Sequence, residues 1–251
     1  MEVDYSIKAV LNLNQNTSQV ILDFKKGDIN GDGIVDFVYL FGSKPYGNSS
    51  PFRDNINLRL IDGKTGKVTA VMLKQDSGYN PTLFLGDFTG NKADDIFIAI
   101  DSGGSGAIAY YYIYTLENNR LRKIFDFENF NNEYQYEVNY LDNYKAEVIS
   151  KANNKKYILD LAWKGQEYLS EIYNKDGTLK ESISGWVDPL SGLFPIDFNR
   201  DGTYGLYAMQ LIAGRYHADG LGFVQTSLEW DGQSFTHFLQ TVGVFGENYI
   251  S

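Results

Sequence analysis

Short apolar runs alternate with acidic, Gly- and Asn-rich turns along the whole chain, and almost every run has the length of a strand. Val20-Ile21-Leu22, Phe37 to Phe41, Ile96 to Ile100 and Leu206 to Met209 are examples. No stretch repeats its apolar residues convincingly at helical spacing. The best candidate, Glu167 to Tyr173, is short and stops at the turn "NKDG", so it reads at least as well as a strand. "LRLIDGKTGKVTAVML", "YIYTLENNRLRKIFDF" and "TSLEWDGQSFTHFLQ" place turn residues between apolar flanks and predict hairpins. The pattern predicts an all-β, antiparallel protein.

The runs are organised in repeats. "GDINGDGIVDFVYL" from Gly27, "GDFTGNKADDIFIA" from Gly86 and "IDFNRDGTYGLYAM" from Ile196 align without gaps, each between two apolar runs. A hairpin follows each of them, so each unit reads strand, acidic loop, strand, loop, strand, turn, strand. The spacing from Asp87 to Asp197 is close to twice that from Asp28 to Asp87. Residues 134–188 fill the gap with strand-and-turn sequence lacking the acidic loop. The expected units are therefore about 20–78, 79–133, 134–188 (degenerate) and 189–251, within one domain spanning 1–251. Four-stranded units of this size must pack on one another to bury both faces. Radial packing gives a β-propeller of four or five four-stranded blades, with residues 1–19 (strand Tyr5 to Leu13) closing the ring. A twisted β-sandwich is the alternative.

The acidic loops carry the candidate chemistry. A hard cation such as Ca²⁺ takes six to eight oxygens from carboxylates, amides and backbone carbonyls. In the first loop Asp28, Asn30, Asp32 and Asp36 stand at positions 1, 3, 5 and 9, Ile34 at position 7 offers its carbonyl, and Gly33 provides a sharp turn. An EF-hand is excluded, because Tyr39 occupies the position of the bidentate Glu and the flanks are strand-like.

Asp28 to Asp36, D-x-N-x-D-G-x-x-D between two strands, resembles the calcium-binding FG-GAP repeats of integrin-type β-propellers and the related VCBS repeats of bacterial extracellular proteins. The resemblance implies Ca²⁺ on the rim of each blade, in a structural role. Carried over, it implies Asp87, Thr89, Asn91 and Asp95 with the Ala93 carbonyl in the second loop. In the third it implies Asp197, Asn199 and Asp201 with the Thr203 carbonyl. Lys92 departs from the pattern at position 6 of the second loop, and Gly205 removes the position 9 carboxylate of the third. Up to three Ca²⁺ sites are expected, the first being the best formed.

Composition narrows the function classes. A net charge of −10 argues against nucleic-acid and anionic membrane partners. The absence of Cys removes disulfides, thiolate metal sites and Cys nucleophiles. No run approaches a membrane span, and Met-Glu-Val-Asp-Tyr carries neither the basic nor the apolar region of a signal peptide. The modest calcium affinity of such modules favours a secreted or cell-surface location, with cytoplasm as the alternative. His217 and His237 read as satisfied loop or surface residues, and "DSGGSG" from Asp101 lacks the Lys-Ser/Thr of a phosphate cradle.

Neither His fits a catalytic pattern, so the leading expectation is a non-catalytic, calcium-binding recognition or adhesion module for a glycan or protein. Its candidate contact loops are "GSKPYGNSSPF", "DSGGSGAIAYYY" and "AGRYHADGLGF". A secreted calcium-dependent polysaccharide hydrolase or lyase and a structural surface or coat component are the alternatives.

Overall fold

The computed structural model describes residues 19–104, 106 and 108–246. The expected ring-closing strand, Tyr5 to Leu13, lies outside the described residues. The fold is all-β with antiparallel sheets. Strands β1 (Val20–Gly27), β2 (Asp36–Ser43), β3 (Asp54–Ile61) and β4 (Val68–Met72) form one four-stranded meander. β5 (Tyr79–Gly86), β6 (Asp95–Asp101), β7 (Ala109–Glu117) and β8 (Arg120–Asp126) form a second. The predicted hairpins are β3–β4, β7–β8 and, later in the chain, Gly220–Trp230 with Phe235–Val244. Asn118 and Asn119, both at positive φ, make the tight β7–β8 turn.

Residues 134–244 build differently from this simple meander. Helix α1 (Phe127–Glu133) follows β8, its N-terminus capped by the Asp126 carboxylate, which accepts from Glu128 N. β9 (Tyr136–Leu141), β10 (Lys145–Ser150) and β11 (Lys155–Asp160) then meander, and helix α2 (Gly165–Ile172) leads to β12 (Ser184–Val187). β13 (Gly192–Ile196), β14 (Gly205–Ala213), β15 (Gly220–Trp230) and β16 (Phe235–Val244) form the third acidic-loop meander. β12 pairs with both β9 and β14, so the two meanders fuse into one eight-stranded sheet.

That sheet is nearly closed, like a barrel. Its end strands approach where Tyr157 of β11 donates to the Gln240 carbonyl of β16 at 3.1 Å. Residues 134–188 thus extend the sheet of β13–β16, and only three of their strands form a meander. The pleat could not show this, because the joining strand is four residues long.

The Glu167–Tyr173 segment is a helix, against the strand alternative. Leu169 and Ile172, three residues apart on one face, are buried with Val138, Val148, Leu159 and Ile212 inside the curled sheet. Tertiary burial decides a segment too short for its periodicity to do so. A larger apolar core joins the first sheet, the second sheet and β13–β16, with Phe88, Ile98, Tyr112, Leu193 and Phe235 among its members.

Candidate functional site

The three acidic loops share one backbone conformation. Positions 4 and 6 have positive φ in each: Gly31 and Gly33, Gly90 and Lys92, Arg200 and Gly202. The lead carboxylate caps the loop from inside. Asp28 accepts from Gly31, Asp32 and Gly33 amides at 2.8–3.2 Å. Asp87 accepts from Gly90, Asn91 and Lys92 at 2.6–3.2 Å. Asp197 accepts from Asp201 and Gly202 at 3.1 and 3.0 Å. At position 5, Asp32, Asn91 and Asp201 each accept from the amide two residues on, at 2.8–2.9 Å. These are Asx-type turns, which the Asp/Asn/Gly pattern favours.

The loops are also joined head to tail. The Asp28 carbonyl accepts from Asp94 N at 2.8 Å, and the Asp87 carbonyl accepts from Tyr204 N at 2.7 Å. Asp94 and Tyr204 both stand at position 8 of the following loop. The same bond therefore links first to second and second to third loop.

Position 9 does not face outward with the others. Asp36 is 1% exposed and accepts from Ile29 N at 3.0 Å and from Gly63 N, in the β3–β4 turn, at 2.8 Å. Asp95, equally buried, accepts from Phe88 and Thr89 amides at 2.9 and 3.1 Å. Burial pushes both carboxyls up from the ordinary value of 3.8, against the pull of those amides. Asp94 is also raised, by burial and by the Asp28 and Asp87 charges. In the third loop a side chain at Gly205 has no room: its Cβ would lie 2.6 Å from the Leu228 carbonyl and 2.8 Å from the Phe198 ring. The missing carboxylate is a packing consequence.

The remaining predicted positions follow suit. Asn30 Oδ1 accepts from Asp32 N, and its amide group donates to Asp62 at 3.3 Å. Ala93 is buried against Gly31 of the first loop, whereas Ile34 is exposed. Asn199 donates to Glu229 at 3.2 Å. Asp201 and Thr203 line a small cleft with Thr89, between the second and third loops. Asp32 pairs with exposed Lys64 at 3.3 Å; among the described residues Asp28, Asp36, Asp87, Asp94, Asp95 and Asp197 make no ion pair. No three acidic or His side chains converge on a point among the described residues.

Two buried acids in the eight-stranded sheet escaped sequence reasoning. Asp219 is 2% exposed and gathers Lys164 Nζ at 2.6 Å, Tyr168 OH at 2.8 Å, Arg215 N at 2.9 Å and Tyr140 OH at 3.3 Å. Burial alone would raise its carboxyl; the Lys164 ammonium and the other donors hold it below the ordinary range. Asp188, at 0% exposure, accepts from Trp186 Nε1 at 2.7 Å and lies 2.9 Å from His217 Nδ1. His217 is half exposed and stands edge-on to the Trp186 ring. Asp219, within the β14–β15 loop, ties it to β9 and α2, and Asp188, just after β12, holds His217 of the same loop. "AGRYHADGLGF" was the available signal, but its partners come from β9, the α2 entry and β12, remote in sequence.

A family model described as the YybI C-terminal domain matches residues 134–243, the span of the eight-stranded sheet. A Bacillus subtilis (strain 168) protein named "Uncharacterized protein YybI" is 50% identical over 232 residues, covering 92% of this chain and 88% of its own. The chain belongs to the YybI family. The boundary of the matched YybI domain falls at the end of α1, so it takes residues 134–188 and the third acidic-loop meander as one body. No solved structure matches the chain. Among the described residues, no helix is long and apolar enough to cross a membrane.

Proposed function

We propose that the protein is a calcium-stabilised recognition module whose three acidic loops form one cation-binding rim. The head-to-tail joining of the loops carries this reading. One bond type repeated between successive loops supports a propeller-like fan of the first sheet, the second sheet and β13–β16, with β9–β12 as an addition at its end. The rim holds six carboxylates that make no ion pair among the described residues, and unpaired charge near a low-dielectric interior favours a counter-cation.

The donor chemistry fits a hard ion in part. Asp28, Asn30 and Asp32 with the Ile34 carbonyl supply only oxygens, and a carboxylate has about four lone-pair sites, so amide-capped Asp28 retains acceptor capacity. Asp36 and Asp95 are engaged with buried amides, which fits them to shaping the loop. The second loop offers Asp87, Asn91, Thr89 and the Ala93 carbonyl; the third offers Asp197, Asn199, Asp201 and the Thr203 carbonyl. The resemblance to FG-GAP and VCBS repeats points the same way, and with it a secreted or surface location and a glycan or protein partner.

Thermal unfolding of chelator-treated protein, titrated separately with Ca²⁺ and Mg²⁺, tests the reading. Ligand binding to the native state raises the midpoint once its concentration passes Kd. A Ca²⁺-specific rise that Asp28→Ala abolishes is expected; a flat response in the parent chain overturns the calcium reading.

A second reading, a secreted hydrolase or lyase, draws support from one observation. Buried Asp188 holds His217 by Nδ1, and Nε2 has no partner among the described residues, the arrangement that orients a general base. Turnover of a polysaccharide that His217→Gln abolishes would establish it; no turnover with calcium present would remove it.

A further inference from the structure

An open groove of about 460 Å³ is lined by none of the acidic-loop residues and not by His217. It sits between α2 and the β9–β10 turn, lined by Tyr144, Leu169 and Tyr173 with Gln166, Ser170 and Asn174. Its size falls within the range of small-molecule sites, and its lining sets Leu169 and two tyrosine rings among five polar or charged side chains.

A strained residue builds its floor. Tyr144 has φ 59°, next to Asn143 at φ 61°. A bulky side chain is disfavoured in the left-handed region, and such outliers gather at functional sites. The turn is held there by Asn143 N donating to the Gly177 carbonyl at 2.8 Å and Leu161 N to the Tyr144 carbonyl at 2.7 Å. The result places the Tyr144 ring 5.0 Å from that of Tyr173, at 77° to it. Tyr173 is itself fixed, its hydroxyl donating to the Lys145 carbonyl at 3.2 Å.

Lys175 and Lys180 are the charged residues of the lining, in a chain of net charge −10. Of the nearby acids, Glu171 pairs with Arg215 at 2.7 Å, Asp176 accepts from Thr178 and Asp142 from Leu179 N at 2.8 Å, while Glu167 and Glu181 stand outside the lining. Lys180 Nζ already donates to the Ser170 carbonyl at 2.6 Å, while Lys175 makes no ion pair among the described residues. One free ammonium matches a single negative charge, hydroxyl and amide side chains match hydroxyl groups, and tyrosine rings match the apolar face of a sugar ring.

We infer that this groove binds an acidic saccharide of the uronate type, its carboxylate on Lys175 and its ring on Tyr144. The inference deepens the recognition reading and rests on it, but not on calcium. The full chain is titrated by calorimetry with the dimer of galacturonic acid, with a neutral galactose dimer and inorganic phosphate as controls. Saturable binding of the acidic dimer is expected, weakened at least tenfold by Lys175→Glu and by Tyr144→Asn.

Asn tolerates the left-handed backbone, so Tyr144→Asn should keep or raise the unfolding midpoint while losing the ligand. No saturable binding, undiminished binding in both variants, or equal and competing binding of phosphate would each overturn the inference. Binding of the neutral galactose dimer alone, unchanged in both variants, would overturn it while sparing the recognition reading. Groove binding that survives in a chain with no calcium response would overturn the calcium rim alone.

Discussion

The two parts of the molecule bury carboxylates in opposite ways. Around the acidic loops, Asp36 and Asp95 are covered by protein and bonded to backbone amides, make no ion pair among the described residues, and have their carboxyls raised by burial. In the eight-stranded sheet, Asp219 is as deeply buried, yet an ammonium 2.6 Å away holds its carboxyl low. Equal burial therefore gives opposite electrostatics. The first arrangement leaves the carboxyl without an ion-pair partner among the described residues; the second is balanced within the chain and serves as a fastener for the β14–β15 loop.

Removing Lys164 should break this contrast most severely. Lys164→Met strands a buried carboxylate, and losing one partner of such a pair costs about 3–5 kcal/mol. Urea unfolding should show that loss, and an unchanged midpoint would mean that Tyr168, Tyr140 and the Arg215 amide suffice for Asp219. Asp95→Asn should cost far less, under about 1 kcal/mol without calcium, because the amide oxygen still accepts a backbone bond and the buried charge is gone. If the rim binds Ca²⁺, the same variant should show a reduced calcium-dependent rise, which sharpens the difference between the two kinds of acid.

The pH response should separate them by sign. Asp36 and Asp95 bind protons more tightly when folded, so their contribution is full below pH 3.8 and is lost as pH rises through their raised values. Asp219 contributes above pH 3.8 and loses its contribution as pH falls through its depressed value. Comparing unfolding midpoints across pH for Asp95→Asn and Lys164→Met should flatten the upper limb in the first variant and the acid limb in the second. The smallest effect is expected at Lys92, held at φ 69° where the other two loops have Gly. Lys92→Gly should stabilise by about 1 kcal/mol or less, since relief of left-handed strain is partly offset by glycine's entropy. A midpoint that falls instead would show Lys92 in a stabilising interaction.

The repeats, the hairpins and the acidic loops were legible in the sequence because each rests on local chemistry. Asp28, Asp87 and Asp197 cap their own loops through amides three to five residues on, and Asn118-Asn119 turns one hairpin by itself. Nothing local marked Asp36 and Asp95 as buried staples, since Asp36 is tied to Gly63 across the β2–β3 pair. Nor did His217 signal its partner, Asp188, from within its own loop.

What the sequence determined by itself was the all-β class and the three Asx-capped loops, because turn chemistry and a two-residue pleat act over a few residues. Only the tertiary structure decided that residues 134–188 fuse with the last meander through β12, that Gly165–Ile172 coils as a helix, and which buried acid meets a lysine. Those outcomes depend on surfaces brought together from distant parts of the chain, where burial outweighs local preference.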